Sequence, residues 1–170
     1  MILDDFQSGI VNALKADAYF TQSPAVPVFA EDQPQAHKDA ADALVQVGIV
    51  ALVGEPVVSI GDYRDKIVMQ CTVALIENTD LNRGQSGTGR KARQLGLKAW
   101  ALLHERILGL IEWRCASLQQ VAAGDGLVVW ELEVRTDFPF AVIKTLLVDQ
   151  NDAGAADQNG RIAEYQPTGP

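Results

Sequence analysis

KIVMQCTVALIE, from Lys66 to Glu77, is the stretch of sequence that decides the fold. It alternates in two registers, and both registers are mostly apolar. The first register is Ile67, Met69, Cys71, Val73 and Leu75, and the second is Val68, Gln70, Thr72, Ala74 and Ile76. A strand that is apolar on both faces is typical of a sheet interior. The stretch therefore predicts an interior strand with something packed over each side.

A polar loop and a helix follow this strand. Residues Asn78 to Gly89 read NTDLNRGQSGTG, which is rich in glycine and short polar side chains and predicts an exposed, adaptable loop. Arg90 to Leu110 is predicted to be a helix because its apolar residues recur at i, i+3 and i+4. These residues are Ala92, Leu95, Ala99, Leu102, Leu103, Ile107 and Leu110. Such a stripe requires a sheet to lie on.

The rest of the chain supplies further helices and strands. Amphipathic spacing predicts helices over Leu3 to Ala18 and over Gln33 to Val47. Strands are predicted over Val26 to Ala30, Ile49 to Val53, Val57 to Ile60, Trp113 to Val121 and Leu127 to Thr136. The last two form a hairpin through the turn Gly124-Asp-Gly126, and the final strand alternates between a wet face and a dry face.

These elements predict an α+β fold. No helix separates the strand patterns between Ile49 and Glu77, so a mostly antiparallel sheet is favoured, with a mixed sheet also allowed. We expect a single layered domain over residues 1–148, with about five or six strands and about two or three helices. Ala141 to Val148 is apolar enough for a further strand or an arm, and residues 149–170 predict a loosely ordered C-terminal segment.

Composition excludes some classes of function. The chain of 170 residues is 48% hydrophobic and 21% charged, with a formal net charge of -8. This balance is globular and disfavours a general nucleic-acid binder or an anionic membrane surface as partner. The first residues predict no signal peptide, and no window is apolar for long enough to span a membrane. Cys71 and Cys115 have no metal-ligand spacing, so we expect buried thiols rather than a disulfide.

No catalytic constellation is present in the sequence, so we expect a protein that is not an enzyme and needs no cofactor or metal. His37 and His104 lack a nucleophile or carboxylate at triad spacing and are expected to be structural. Glu131 and Glu133 share a strand face, which a wet sheet surface explains.

The loop from Gly84 to Lys91 invites comparison with a phosphate-binding loop. Its glycines precede a helix, but Arg90 stands where such a loop needs lysine, and Lys91 stands where it needs a hydroxyl. The alternative that this leaves open is a small intracellular domain that binds a nucleotide or another ligand through Gly84 to Lys91.

The same region carries a cluster of positive charge. Arg83, Arg90, Lys91, Arg93 and Lys98 are five of the 14 basic residues of the chain, and no acidic residue occurs from Leu81 through His104. A solvated helix face is one interpretation. The other is an electrostatic contact with an acidic partner, including another copy of the same chain.

The order of elements resembles the tail terminator and tail completion proteins, a group of minor tail proteins of bacteriophages and prophages. The residues that carry the resemblance are the strand ending Val73-Ala-Leu-Ile-Glu-Asn78, the loop Thr79-Asp-Leu-Asn82 and the helix with Ala92, Leu95, Ala99, Trp100 and Leu103. The resemblance covers most of residues 1–148.

This resemblance implies a structural virion protein, found in the bacterial cytoplasm during assembly. It implies a homo-oligomeric ring, commonly a hexamer, that caps the tail tube and joins it to the head connector. Its partners would be further copies of itself, the tail tube protein and the connector proteins, without direct contact to nucleic acid or membrane. We expect the interface to include Asn78, Asn82, Arg83, Arg90, Lys91 and Arg93.

Overall fold

A computed structural model describes residues 2–60, 66–84, 87–108 and 111–139 of the chain. The helices are α1 (Ile2–Ala16), α2 (Ala18–Thr21), α3 (Ala36–Val47), α4 (Thr79–Asn82) and α5 (Ala92–Leu103). The strands are β1 (Val28–Ala30), β2 (Ile49–Val53), β3 (Val57–Ile60), β4 (Lys66–Asn78), β5 (Ile107–Leu108), β6 (Ile111–Glu112), β7 (Arg114–Gly124) and β8 (Leu127–Pro139). The predicted strand or arm at 141–148 and the C-terminal segment at 149–170 lie outside the described residues, so the predicted domain boundary stays a prediction.

Six of these strands form one mixed sheet. Its order is β1-β2-β4-β8-β7, and β3 pairs with β4 beside β2. The pair β1 and β2 is parallel, with α3 as the crossover helix between them. The other described pairs of this sheet are antiparallel, and β5 and β6 form a separate small ladder. The predicted α+β fold with a mostly antiparallel sheet is confirmed.

The strand β4 lies at the centre of the sheet. It pairs with β8 from Lys66 to Asn78, which is its whole length, and its other edge receives β2 and then β3. The predicted interior strand is therefore confirmed. Strand β8 shows the expected alternation, because Leu132, Val134 and Thr136 are buried while Glu131 and Glu133 are half-buried and Arg135 is exposed.

Helices α1 and α5 cover one face of the sheet, which we call the covered face. Residues of β4 on this face, from Met69 to Leu75 in alternation, are at most 2% exposed. They pack with apolar residues of both helices, among them Ile10, Leu14, Leu95, Ala99 and Leu103. Trp113 joins this core, where its ring meets Phe6 edge to face at 5.6 Å between centroids.

Helix α3 lies on the opposite face and covers only part of it. Ile49, Ala51 and Val53 of β2 belong to the core under α1 and α5, so the alternate residues Val50 and Leu52 point the other way. Both are buried, because α3 packs over β1 and β2. The second register of β4, from Val68 to Ile76, is only half-buried. The prediction that both sides of β4 are packed is thus correct for one side and wrong for most of the other.

Helix α5 is shorter than predicted. It ends at Leu103, because His104 has extended backbone and Glu105 adopts a left-handed conformation with φ of 59°. Ile107 continues the apolar spacing of the helix in the sequence, yet it lies in β5 and is 69% exposed. An apolar residue in phase with a helix is therefore not evidence that the helix reaches it.

The two cysteines are buried, as predicted. Cys71 and Cys115 pair in register with the same residue, Val134, from opposite sides. They are therefore two strands apart, at about 10 Å, which is beyond the reach of a disulfide.

Candidate interface around the connection from β4 to α5

Glu77 links the end of β4 to the start of α5. It continues the buried register of β4 and is 5% exposed. The backbone N–H of Ala92 donates to its Oε2 at 2.8 Å, and the Nδ2 of Asn82 donates to its Oε1 at 3.0 Å. A carboxylate at this place satisfies a free N–H at the helix N-terminus and complements the helix dipole.

Asn82 holds the connection together from inside. It is 1% exposed, and its Nδ2 donates both to Glu77 and to the carbonyl of Arg90, the latter at 2.8 Å. Its Oδ1 accepts from the backbone N–H of Thr88 at 3.2 Å and from the Thr88 hydroxyl at 2.8 Å. The amide thus uses its full set of donors and acceptors within the subunit. This differs from the expected exposed, adaptable loop, because the buried amide joins Thr88 and Arg90 to the end of β4.

Arg90 points into the subunit. Its Nη1 donates to the carbonyl of Tyr19, and its Nη2 donates to the carbonyls of Gln22 and Pro24, the former at 3.0 Å. The guanidinium carbon lies 5.8 Å from the centroid of the Tyr19 ring. Burial lowers the pKa of Arg90 below its ordinary value, an effect that the neighbouring Tyr19 partly opposes.

The expectation that Asn82 and Arg90 are exposed contact residues is therefore wrong. Arg90 is 6% exposed, and its planar fork serves backbone carbonyls of the segment between α1 and β1. Those carbonyls lie in α2 and in the turn that follows it, and a guanidinium supplies several donors in one plane. Sequence alone places Arg90 in a run of cations and does not show which cation turns inward.

The remaining residues of the predicted interface lie outside this network. Arg83, Lys91 and Arg93 are exposed, and we call them the cationic surface. The guanidinium carbon of Arg93 lies 5.8 Å from the Trp130 ring centroid, which fixes its place beside β8. Asn78 is half-buried, and its Oδ1 caps α4 by accepting from the N–H of Leu81 at 3.1 Å. Lys98 pairs with Asp17 at 3.5 Å and is therefore engaged within the subunit. The interface role of the cationic surface stays a prediction.

Sequence reasoning missed Glu77, although a signal for it exists. The residue follows Met69, Cys71, Val73 and Leu75 at a spacing of two, so its side chain must enter the core of the covered face. A carboxylate carried into a core needs hydrogen-bond donors nearby. The polar residues after β4 are the nearest source, which points to an inward network rather than a free loop.

The geometry also bears on the comparison with a phosphate-binding loop. The Glu77 carboxylate occupies the N-terminus of α5, the place where such a loop holds a phosphate. The Arg90 side chain, which would have to reach that phosphate, is turned toward Tyr19 and Gln22. Both features disfavour nucleotide binding through Gly84 to Lys91.

Other candidate residues have structural partners. His37 pairs with Glu31 at 3.2 Å, and the Nδ1 of His104 accepts from the backbone N–H of Cys115 at 3.0 Å. Glu133 pairs with Arg135. No group of three or more His, Cys, Asp and Glu side chains within the described ranges is arranged to hold a metal ion. No helix in the described part of the chain is both long and apolar enough to cross a membrane.

A cleft of about 430 Å³ opens at the other end of the sheet from this connection. Lys66, Arg114 and Arg135 line it together with Glu112 and Asp137. Arg114 and Glu112 approach each other to 3.5 Å across the cleft wall. Its charges of both signs partly neutralise one another, so the cleft shows no preference for an anion or a cation.

Comparison with known proteins finds likenesses in structure and none in sequence. No family model matches the chain, and no curated protein matches it in sequence. A solved structure described as "Virion of native gene transfer agent (GTA) particle" contains a chain that is similar to this one with a TM-score of 0.50 and 13% sequence identity. The likeness covers 77% of this chain and 92% of that chain. It shows that the two chains share a fold.

Proposed function

We propose that this chain is a structural protein of a phage-like virion, and that it acts as a tail terminator. In that role it forms a ring on the end of the tail tube, stops tube growth and presents a surface to the head connector. The observation that carries the proposal is the fold likeness to a chain of a gene transfer agent virion, which extends over 92% of that chain. The resemblance of Val73 to Asn82 and of the following helix to tail terminators supports the finer assignment.

The site supports a role in contact rather than in chemistry. The polar groups at the connection from β4 to α5 are engaged with one another, as the four bonds of the Asn82 amide show. Arg83, Lys91 and Arg93 are exposed beside this network and free of it. Positive residues on a body of net charge -8 favour an acidic partner surface and faster association with it.

Deletion of the gene from the strain that encodes it tests this function. Without a terminator, tubes have no stop signal, so we expect tails of uncontrolled length, or heads and tails that stay unjoined, in electron micrographs. Particles from the parent strain should contain the protein by mass spectrometry. Complementation with the intact gene is the control. Normal, joined particles from the deletion strain would refute the proposal.

Charge reversal tests whether the cationic surface contacts the partner. A Lys91→Glu and Arg93→Glu chain should complement the deletion poorly, because like charges then face the acidic partner. The matched control is Lys15→Glu with Lys66→Glu, which makes the same change in net charge at exposed sites elsewhere. If both chains complement equally well, the cationic surface is not part of the contact.

A further inference from the structure

The half-buried side of the sheet next to α3 has a defined composition. Thr72, Ala74 and Ile76 of β4 lie there, and α3 covers the adjacent strand β2. On the other side, β8 places Glu133 opposite Thr72, Glu131 opposite Ala74 and Val129 opposite Ile76. We call these six residues the open face. Ala74, Ile76 and Val129 are its apolar residues, α3 lies on one side of it, and the carboxylates Glu131 and Glu133 lie toward the other side.

The open face and the helix beside it are acidic. Glu131 and Glu133 lie on the open face, and Asp39 and Asp42 are exposed on α3, Asp42 on the side of the helix away from the buried Ala36 and Ala40. Glu131 forms no ion pair with another described residue, whereas Glu133 forms an ion pair with Arg135. A ligand for this face therefore needs an apolar ridge flanked by positive charge.

Helix α5 presents such a ridge on its outer side. Leu97 is 55% exposed, and Arg93 precedes it by four residues, so the two lie side by side on the helix. Lys91 is exposed at the N-terminal end of the same helix.

The ridge and the open face cannot meet within one subunit. Helix α5 packs in the core of the covered face, while the open face lies on the other side of the same sheet. We propose that α5 of one copy docks on the open face of a second copy, with Arg93 beside Glu131 and with Leu97 over Ala74 and Ile76. This inference rests on the proposed ring-forming function and names the contact that builds the ring.

The contact is heterologous, since it joins two different surfaces of identical chains. Heterologous contacts repeat from one copy to the next and close into a ring when the rotation between copies allows it. Each copy would offer one ridge and one open face, so the ring leaves neither surface uncovered. The opposite charges of the two surfaces also disfavour contact between two ridges or between two open faces.

Two charge-reversed variants test this contact. Arg93→Glu alters the ridge, and Glu131→Lys alters the open face. Analytical ultracentrifugation of the purified wild-type chain should show concentration-dependent oligomers, and each variant alone should associate about tenfold or more weakly. An equimolar mixture of the two variants should recover association, because the glutamate introduced in one chain then meets the lysine introduced in the other and the remaining contact is wild type. Glu105→Lys, at an exposed acidic site away from both surfaces, should associate as the wild type does.

Results that differ from these expectations overturn the inference. If the wild-type chain stays monomeric throughout the concentration series, it has no such contact. If each variant associates as strongly as the wild type, the contact lies elsewhere on the surface. A mixture that fails to recover, with both variants shown to be folded by circular dichroism, also contradicts it. The proposed function is judged separately, since the protein can be present in particles by mass spectrometry whether or not this contact is the one that forms.

Discussion

Arg90 shows how one side chain determines the conformation of two distant segments. Its backbone carbonyl receives the Asn82 amide, and its guanidinium donates to carbonyls of Tyr19, Gln22 and Pro24. The residue thereby joins the start of α5 to the segment that leads from α1 and α2 into β1. A buried charge of this kind is tolerated because hydrogen bonds replace the lost water.

Replacement of Arg90 should destabilise the fold. We expect Arg90→Ala to lower the free energy of unfolding by about 3 kcal/mol or more, since hydrogen bonds to a charged group contribute about 1.5–3 kcal/mol each and three carbonyls lose their donors. Arg90→Lys should recover part of this loss, because an ammonium donates but lacks the planar fork. Urea denaturation measures both. Lys91→Ala, at the exposed neighbouring position, should change stability by less than about 0.5 kcal/mol; an equal effect at the two positions would contradict the buried role.

Cys71 gives a prediction for stability at alkaline pH. Burial raises the pKa of its thiol from 9.0 to about 12, so the folded state keeps the proton that the unfolded state releases above pH 9. The contribution of this thiol to the free energy of unfolding is complete below pH 9 and is lost as the pH rises toward 12. Between pH 7 and pH 10 we expect the wild type to lose about 1.4 kcal/mol more than Cys71→Ala.

Urea denaturation of the two proteins at several pH values measures this difference. The two proteins differ at Cys71 alone, so contributions from all other residues cancel in the comparison. Cys115, whose pKa burial also raises to about 12, should add a similar dependence that Cys115→Ala removes. Parallel pH curves for wild type and Cys71→Ala would show that the thiol ionises in the folded state.

Among the elements, the contact between α3 and α4 depends on Gly48. This residue ends α3 with φ of 76°, and an added Cβ would overlap the backbone nitrogen and Cα of Asn82. The carbonyl of Gly48 also accepts from the N–H of Asn78 at 2.8 Å. The close approach places the buried Asn82 amide within reach of Glu77.

Two glycine variants separate this contact from backbone strain. Gly89 also has a positive φ, of 66°, but an added Cβ there meets no atom within 4 Å. Gly89→Ala should therefore cost only the left-handed conformation, about 1–2 kcal/mol. Gly48→Ala should cost at least about 2 kcal/mol more, because the new methyl group collides with backbone that cannot move aside. Thermal or urea denaturation checks the order, and equal losses would show that α4 shifts freely.

The elements of this fold are also the level at which sequence reasoning succeeds best. Alternation along β4 and β8 and the 3.6-residue spacing of α1, α3 and α5 follow the backbone geometry of strands and helices, so the type and approximate position of these elements follow from the sequence. The inward network does not follow in the same way. Asn82, Arg90 and Thr88 form it through contacts between residues without periodic spacing, and polar residue types are equally common in free loops.

At the scale of the whole molecule, charge is distributed unevenly. The chain has a net charge of -8, yet it has no acidic residue between Leu81 and His104. Burial of Arg90 and pairing of Lys98 with Asp17 leave Arg83, Lys91 and Arg93 as the outward part of this run. The acidic residues of α3 lie on the opposite side of the sheet. A molecule with such polarity favours association of unlike surfaces over like ones.

Salt should therefore weaken self-association of this chain. The Debye length falls from about 10 Å at 0.1 M salt to about 3 Å at 1 M, so attraction between exposed unlike charges is screened. The apolar part of the contact, which includes Leu97 and Ile76, is not screened and sets a lower limit to the affinity that remains. We expect the apparent dissociation constant to rise about tenfold over this range, corresponding to about 1.4 kcal/mol. Ultracentrifugation in a sodium chloride series measures it, with the recovered mixture of Arg93→Glu and Glu131→Lys as a second case that should show the same slope. An affinity that is constant or increases with salt would mean that apolar contact alone drives association, and the carboxylates of the open face would then have no part in choosing its occupant.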